Sequence, residues 1–347
     1  MASANDLELA LLDAAASGDI ATLSALVENG VDVSYQDQEG MSALMKAADG
    51  GYQEAVELLL QAGCPWNLQD KDGYCAGQYA AGNPEIVELL LNWGVQAELV
   101  LGAVKRSEEE EDADQDGVVN QAYLSQPLHY SDDGSKLLDA DGEAVMMGWE
   151  GPLMERHAAL MQARGGAVLN IGFGLGLIDA ALQAFSPTLH TIIEAHPDVF
   201  KHAQHKGWGT RPGVQLLHGR WQEVLPRLVA QGQRYDGVFF DTYGEYYREM
   251  AQFHKQLPAL LKPGGVYTFF NGLAPDNVFF HSVYGRLVQL ELAALGLSTS
   301  YEKVDIQQAV QPEVWAGVRN KYWHLPYYFL PKCVLAPDAP HEDFTQP

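Results

Sequence analysis

Asn170-Ile171-Gly172-Phe173-Gly174-Leu175-Gly176-Leu177-Ile178-Asp179 decides the fold of this 347-residue chain. It begins inside Ala167-Val-Leu-Asn-Ile171, a short apolar run that predicts a buried strand, and leads into a helical pattern over Leu175–Phe185. Glycines between a strand and a helix let the backbone approach a ligand closely. The spacing Gly-x-Gly-x-Gly differs from the Gly-x-Gly-x-x-Gly of dinucleotide sites, although both occupy the same turn. Downstream, His190–Ile193, Val214–Leu217 and Tyr235–Phe240 read as further strands. Leu257–Leu261 closes a helix, and Lys262-Pro-Gly-Gly265 turns into a fifth strand, Val266–Phe270. Such alternation predicts a parallel sheet covered by helices on both faces. Thr299–Ile306 and Trp323–Leu330 are expected to add two antiparallel strands.

Two acids and one aromatic stand where strands of such a sheet end, and a third acid precedes the first strand. Glu194 follows Gly176 by 18 residues, at the end of the second strand. A carboxylate there accepts the hydroxyls of a ribose; the alternative is an exposed strand-end acid. Trp221, in Gly219-Arg220-Trp221, is expected to stack on a purine, or else to be a core residue opening the next helix. Asp241 ends the fourth strand and faces the crevice where ligands bind in these sheets. Val145-Met-Met-Gly-Trp149-Glu150-Gly-Pro-Leu-Met154 lies just before the first strand and is expected to fold over the same crevice. Glu150 then joins Asp241, unless it is a surface helix acid.

The first hundred residues repeat themselves. Gly51-Tyr-Gln-Glu-Ala-Val-Glu-Leu-Leu-Leu-Gln-Ala-Gly63 matches Gly82-Asn-Pro-Glu-Ile-Val-Glu-Leu-Leu-Leu-Asn-Trp-Gly94, and Gly18–Gly30 is a weaker copy one period of 33 residues earlier. A 33-residue period of two short helices and a turn resembles ankyrin repeats. Each helix pair buries one face only against the next, so the units must stack. The glycines at the helix ends fit left-handed C-caps, and Asp37–Gly40 and Asp70–Gly73 look like the turns between repeats. Such stacks bind proteins, or here simply pack against the neighbouring domain. Glu108–Asp112 with Asp114 and Asp116 reads as a solvated linker. The expected division is ankyrin repeats over 1–103, an acidic linker over 104–120 and a second domain over 121–347.

The formal net charge is −25. It repels a phosphate backbone, which argues against direct nucleic-acid binding, and it speeds encounter with a cationic partner. No apolar run is long enough to span a bilayer. Cys64, Cys75 and Cys333 fit neither a disulfide framework nor a zinc pattern, which points to a reducing compartment, cytoplasm or nucleus. His196, His202 and His205 lack the spacing of a zinc helix, so no metal is expected.

Together, Asn-Ile-Gly-Phe-Gly-Leu-Gly, Ile-Glu-Ala-His, Arg-Trp-Gln-Glu-Val, Phe-Asp-Thr-Tyr-Gly-Glu and Met-Met-Gly-Trp-Glu, with Phe-Phe-Asn271-Gly-Leu later, resemble the type IV protein arginine N-methyltransferases. That family also places ankyrin-like repeats before its catalytic domain. The motifs are similar to guanidinoacetate methyltransferase as well, which lacks the repeats. The resemblance implies an all-α ankyrin domain followed by a Rossmann-like, seven-stranded class I α/β fold. It implies methyl transfer from S-adenosylmethionine to the δ-nitrogen of arginine in a protein, which the repeats recruit or orient. It further implies that Gly172 and Phe173, Gly174, Leu175, Gly176, Leu177 and Ile178 line the methionine end of the cofactor. Glu194, Ala195 and His196 would hold the ribose, and Arg220 and Trp221 the adenine. Met154 and Tyr123 would lie against the cofactor, and Asp241 between cofactor and substrate. Arg220 departs from a common pattern, in which an acid at that place accepts the adenine amino group.

Arginine explains the need for two carboxylates. Its guanidinium stays protonated, with a pKa above about 12, and its lone pairs are delocalised. Glu150 and Asp241 are expected to bind it bidentately, Asp241 taking the proton, with Glu245 as a reserve acid. The competing readings are a small-molecule guanidino methyltransferase and an inert ankyrin scaffold.

Overall fold

A computed structural model describes residues 4–108, 121–161, 165–245 and 247–337. Contacts divide the chain into two units, Met1–Glu110 with Leu273–Leu287, and Glu111–Gly272 with Val288–Pro347.

The first unit carries α1 (Ala4–Ser17), α2 (Ile20–Glu28), α3 (Ala43–Asp49), α4 (Gln53–Gln61), α5 (Ala76–Tyr79) and α6 (Pro84–Glu108). Leu11, Leu23, Met45, Leu59 and Ile86 each have no exposed surface, so one apolar seam runs through the stack. Asp37 and Asp70 build the inter-repeat turns. Each accepts two backbone N–H bonds at 2.9 Å through Oδ1, and Gly40 and Gly73 follow at φ +82°. Gly18, Gly30, Gly51 and Gly63 take the left-handed conformation expected of C-caps. Gly94 does not. It lies inside α6, which continues to Glu108, and a Cβ there would press on the Trp66 ring at 3.1 Å. Close packing, not capping, selects that glycine. Most of the acidic run, 109–120, lies outside the described residues.

The second unit opens with α7 (121–125) and a small antiparallel sheet, β1 (His129–Tyr130), β2 (Lys136–Leu138) and β3 (Ala144–Met147). A 3₁₀ turn, Gly148–Glu150, leads into α8 (Gly151–Leu160). There follow β4 (Ala167–Ile171), α9 (Leu177–Gln183), β5 (Leu189–Glu194), α10 (Pro197–His205), β6 (Val214–His218), α11 (Trp221–Ala230) and β7 (Tyr235–Phe240). The remaining elements of the chain are α12 (Tyr247–His254), α13 (Leu257–Leu260), β8 (Leu261–Phe269), α14 (Val278–Ala294), whose first part belongs to the first unit, β9 (Leu297–Asp305) and β10 (Tyr327–Leu335).

Seven strands form one sheet in the order β6-β5-β4-β7-β8-β10-β9. The first five are parallel, and β10 runs antiparallel to both β8 and β9. Every residue of β4 is buried, as a strand covered on both faces requires. The chain goes from β4 outward to β5 and β6, then back to β7 on the other side. The carboxyl ends of β4 and β7 therefore flank the switch point, where such sheets open a crevice.

Three expected boundaries move. The first helix starts at Leu177, because Gly174 and Gly176 hold φ +54° and +73°, outside the helical region. The fifth strand begins at Leu261, before the Lys262–Gly265 turn. The last strand slides to Tyr327–Leu335, leaving Trp323 outside it and fully buried, its indole donating to the Leu325 carbonyl at 2.9 Å. No helix among the described residues is long and apolar enough to cross a membrane.

Candidate active site

The glycine turn is held from below by buried polar groups. Asn170 donates through its side-chain amide to the Gly172 carbonyl at 2.8 Å and to Asp179 at 2.9 Å. Asp179 also pairs with His190 at 2.9 Å, both side chains fully buried. The end of β4, the start of α9 and β5 are thereby locked together. Gly172 has φ +92°, and a Cβ there would overlap the carbonyl oxygen of Asp241. The close approach of β4 and β7 thus requires glycine. From above, the small sheet closes the turn. The Tyr130 hydroxyl donates to the Gly174 carbonyl at 3.1 Å, and the Leu175 amide points at Met146 Sδ, 3.2 Å away.

Beside this turn a pocket opens at the switch point. Its lining includes Tyr123, Gly172, Gly174, Glu194, Ala195, Arg220, Trp221 and Asp241. Eight residues singled out in the sequence therefore meet in one cavity. Glu194 is 6% exposed, and the Phe173 and His196 amides donate to its two oxygens at 2.7 and 2.6 Å. Burial nevertheless pushes it up to about 7, against those hydrogen bonds. The Gly174 amide also favours its charged form, so three backbone amides leave about one of its four lone-pair sites for a ligand hydroxyl. It is not an exposed strand-end acid.

Trp221 shares both of its expected characters. It opens α11, packs edge-on against Phe240 and Phe253, and lines the pocket. Its indole donates to Glu245 at 2.9 Å, and Gln222 donates to the same carboxylate at 3.0 Å. Glu245 thus anchors this end of the pocket. Two neighbouring atoms lack partners although they are buried: Arg220 Nε, a donor, and Gln222 Oε1, an acceptor. Tyr123 lies between His196 and Tyr243, at ring separations of 5.1 and 4.9 Å.

At the other end Asp241 lines the pocket, and a second carboxylate, Glu150, lies near enough to feel its charge although it is not among the lining residues. Glu150, in the 3₁₀ turn before α8, is 3% exposed and so is no surface acid. Its Oε1 accepts from the Met147 amide at 2.9 Å and from the Tyr322 hydroxyl at 2.5 Å. Burial and the negative charge of Asp241 both raise its pKa. Burial likewise raises that of Asp241, whose carboxylate receives no hydrogen bond from a described residue. Two acids near enough to feel one another's charge, one of them buried, resist full ionisation at neutral pH. No lysine or arginine among the described residues neutralises them.

Other expected site residues lie elsewhere. Met154, Phe173 and Ile178 sit in the hydrophobic core beneath the turn, at 0, 1 and 0% exposure. Leu175 and Leu177 pack against that core. Phe173 reaches the site only through its backbone amide, which holds Glu194. Gly176 caps α9. His196 is the N-cap of α10; its Nδ1 accepts from the Asp198 amide and its Nε2 lies 3.0 Å from the Gln126 carbonyl oxygen, so its ring is engaged away from the pocket. His202 stacks on Tyr130 at 3.8 Å. Conversely, Leu137 and Val199 line the pocket, and Tyr322 reaches Glu150 from 172 positions away. Nothing local in the sequence marks those three.

Two family models match. Residues 116–334 match the guanidinoacetate N-methyltransferase model, and residues 11–100 match the ankyrin-repeat model, three copies. Among curated proteins, one from Cryptococcus neoformans named protein arginine N-methyltransferase 2 is 34% identical over 94% of this chain and 94% of its own length. A protein of the same name from Aspergillus fumigatus is 34% identical over 88% of this chain and 82% of its own. Another from Yarrowia lipolytica is 40% identical, the match covering 61% of this chain and 47% of that protein.

Proposed function

The chain belongs to the guanidinoacetate N-methyltransferase family, and on that premise we propose that it methylates arginine in proteins, with S-adenosylmethionine as methyl donor. The observation that carries the reading is the pair formed by buried Glu150 and half-buried Asp241, close enough to interact and without a cation, beside the glycine turn. Such a pair lacks a planar cation that accepts two charge-assisted hydrogen-bonding partners, and a guanidinium is one. The ankyrin repeats, and relatives named for protein arginine methylation that match along the whole chain, favour a protein over a small guanidino compound. The resemblance to type IV enzymes points to the δ-nitrogen. The repeats are assigned the recruitment of a basic partner, consistent with a net charge of −25, and the cytoplasm or nucleus is the proposed compartment.

The residues present fit the donor. Gly172 and Gly174 line the pocket with bare backbone, Glu194 has a lone pair left for a ribose hydroxyl, and Arg220 Nε and Gln222 Oε1 are an unmatched donor and acceptor beside Trp221. When bound, S-adenosylmethionine would supply an electrophilic methyl group together with its own leaving group. The chain's residues do the rest. Glu150 and Asp241 hold the guanidinium and draw its positive charge away from the attacking nitrogen. Asp241 accepts the proton that this nitrogen sheds as its bond to carbon forms. Tyr123, Tyr243 and Met146 line the pocket and keep water from it.

The raised carboxylates set the pH dependence. Below neutrality the pair holds a proton that a bound guanidinium must expel, so kcat/KM is expected to rise as pH passes upward through the neutral range. The deciding experiment is transfer of labelled methyl from S-adenosylmethionine to proteins of a cell extract, followed by mass spectrometry of the modified residue. Expected is δ-methylarginine. Label on free guanidinoacetate and none on protein would overturn the proposal.

A further inference from the structure

We propose that Tyr322 is a positioning residue for this reaction: with the Met147 amide it occupies Oε1 of Glu150, so that Oε2 is the oxygen presented to the substrate. This rests on the reading of Glu150 and Asp241 as the guanidinium clamp. Both hydrogen bonds that Glu150 accepts end on the same oxygen, at 2.9 Å from Met147 and 2.5 Å from Tyr322. Oε2 accepts none from a described residue. A carboxylate fixed through one oxygen can no longer rotate, and its second oxygen has one direction in which to receive an N–H.

The tyrosine ring is itself held. Trp315 packs edge-on against it at 5.0 Å, and Trp149 lies 6.0 Å away, tilted by 34°. The segment bearing it has no regular structure, yet it is tied at several points to the β2–β3 hairpin. The Arg319 amide donates to the Gly142 carbonyl at 2.9 Å, Lys136 donates to the Ala316 carbonyl, and Asn320 donates to Glu143. Thus the hydroxyl is brought to Glu150 by a braced loop and not by a mobile lid. A donor on Oε1 also favours the ionised carboxylate, against burial and against Asp241. The groups facing Glu150 are Asp241 after β7, Tyr322 in this loop and Tyr328 in β10; the last accepts from the Asn271 amide at 2.7 Å and senses both acids.

Tyr322→Phe removes one oxygen and keeps the ring between its tryptophans. The variant and the wild type are compared in methyl transfer to total cell-extract protein across the neutral pH range, with S-adenosylmethionine binding followed by calorimetry. Loss of a hydrogen bond to a charged group predicts a rate at sub-saturating extract lower by about ten- to a hundredfold. The acid limb of the profile moves to higher pH, because Glu150 now stays protonated further up. Donor affinity stays within about threefold, since Tyr322 touches none of the groups at that end. In a Glu150→Gln background the same change costs little further, as expected of a residue acting through Glu150. A wild type that transfers methyl and a Tyr322→Phe variant with the same rate and pH profile overturn the role alone. So does a loss uniform in pH that brings weakened donor binding, which is the mark of mere folding damage. A wild type without transfer overturns the reading of the pocket, and this role with it.

Discussion

At the Gly172–Gly176 end of the pocket the backbone does the holding, whereas at the Glu150–Asp241 end side chains do. The first end is one strand-to-helix turn. Its parts are neighbours in sequence, and Glu194 secures it by accepting the Phe173 and His196 amides. The second is gathered from three distant places: the 3₁₀ turn before α8, the end of β7, and the loop before β10. Bare backbone at Gly172 and Gly174 and a fixed acid at Glu194 make a wall of set shape. Buried acids that are short of a positive charge make a site selective for charge and for planarity. A methyl donor is common to many enzymes and an arginine side chain to few, which matches a generic first end and a specific second one.

The two ends should come apart under mutation. Asp241→Asn is expected to lower single-turnover methyl transfer by about a thousandfold, with donor affinity by calorimetry within about threefold. Equal loss of both would mean that the ends are not separable. Glu194→Ala should do the reverse, weakening donor binding by about ten- to a hundredfold while the rate at saturating donor changes little. A large drop in that saturated rate would assign Glu194 to the second end. Glu150→Gln should lower transfer by about a hundredfold, leaving a measurable remainder, yet stabilise the unliganded protein. Because the folded state raises the pKa of Glu150, its charge costs stability only above the ordinary carboxylate range, and increasingly so toward the raised value. The variant's melting temperature is therefore expected to exceed the wild type's by roughly 2–4 °C on the alkaline side, for a gain of about 1 kcal/mol, and to match it in acid. A variant less stable at every pH would show that Glu150 is a structural residue.

Much of the pocket lining was legible because its chemistry is local. Three glycines after an apolar strand, an acid one strand later and Asp241 at a strand terminus occupy places that the parallel-sheet topology dictates. The repeats were legible for the same reason, since each unit repeats its own turn, as Asp37–Gly40 and Asp70–Gly73 do. Proximity in sequence did not decide where each side chain points. Phe173, Ile178 and Met154 share the motifs, but helical and strand geometry sends their side chains into the core. His196 follows Glu194 by two residues and is spent on capping α10. Gly94 repeats the glycine of Gly30 and Gly63, yet α6 runs straight through it.

By itself the sequence determined the order of strands and helices, the repeat period, the glycine turn and the presence of acids at strand ends, because each depends on residues a few positions apart. Only the tertiary structure decided which acids come near one another, that burial disfavours their charge, and that Tyr322 meets Glu150. Those facts depend on contacts across more than a hundred residues and on the exclusion of water, and no local pattern carries either.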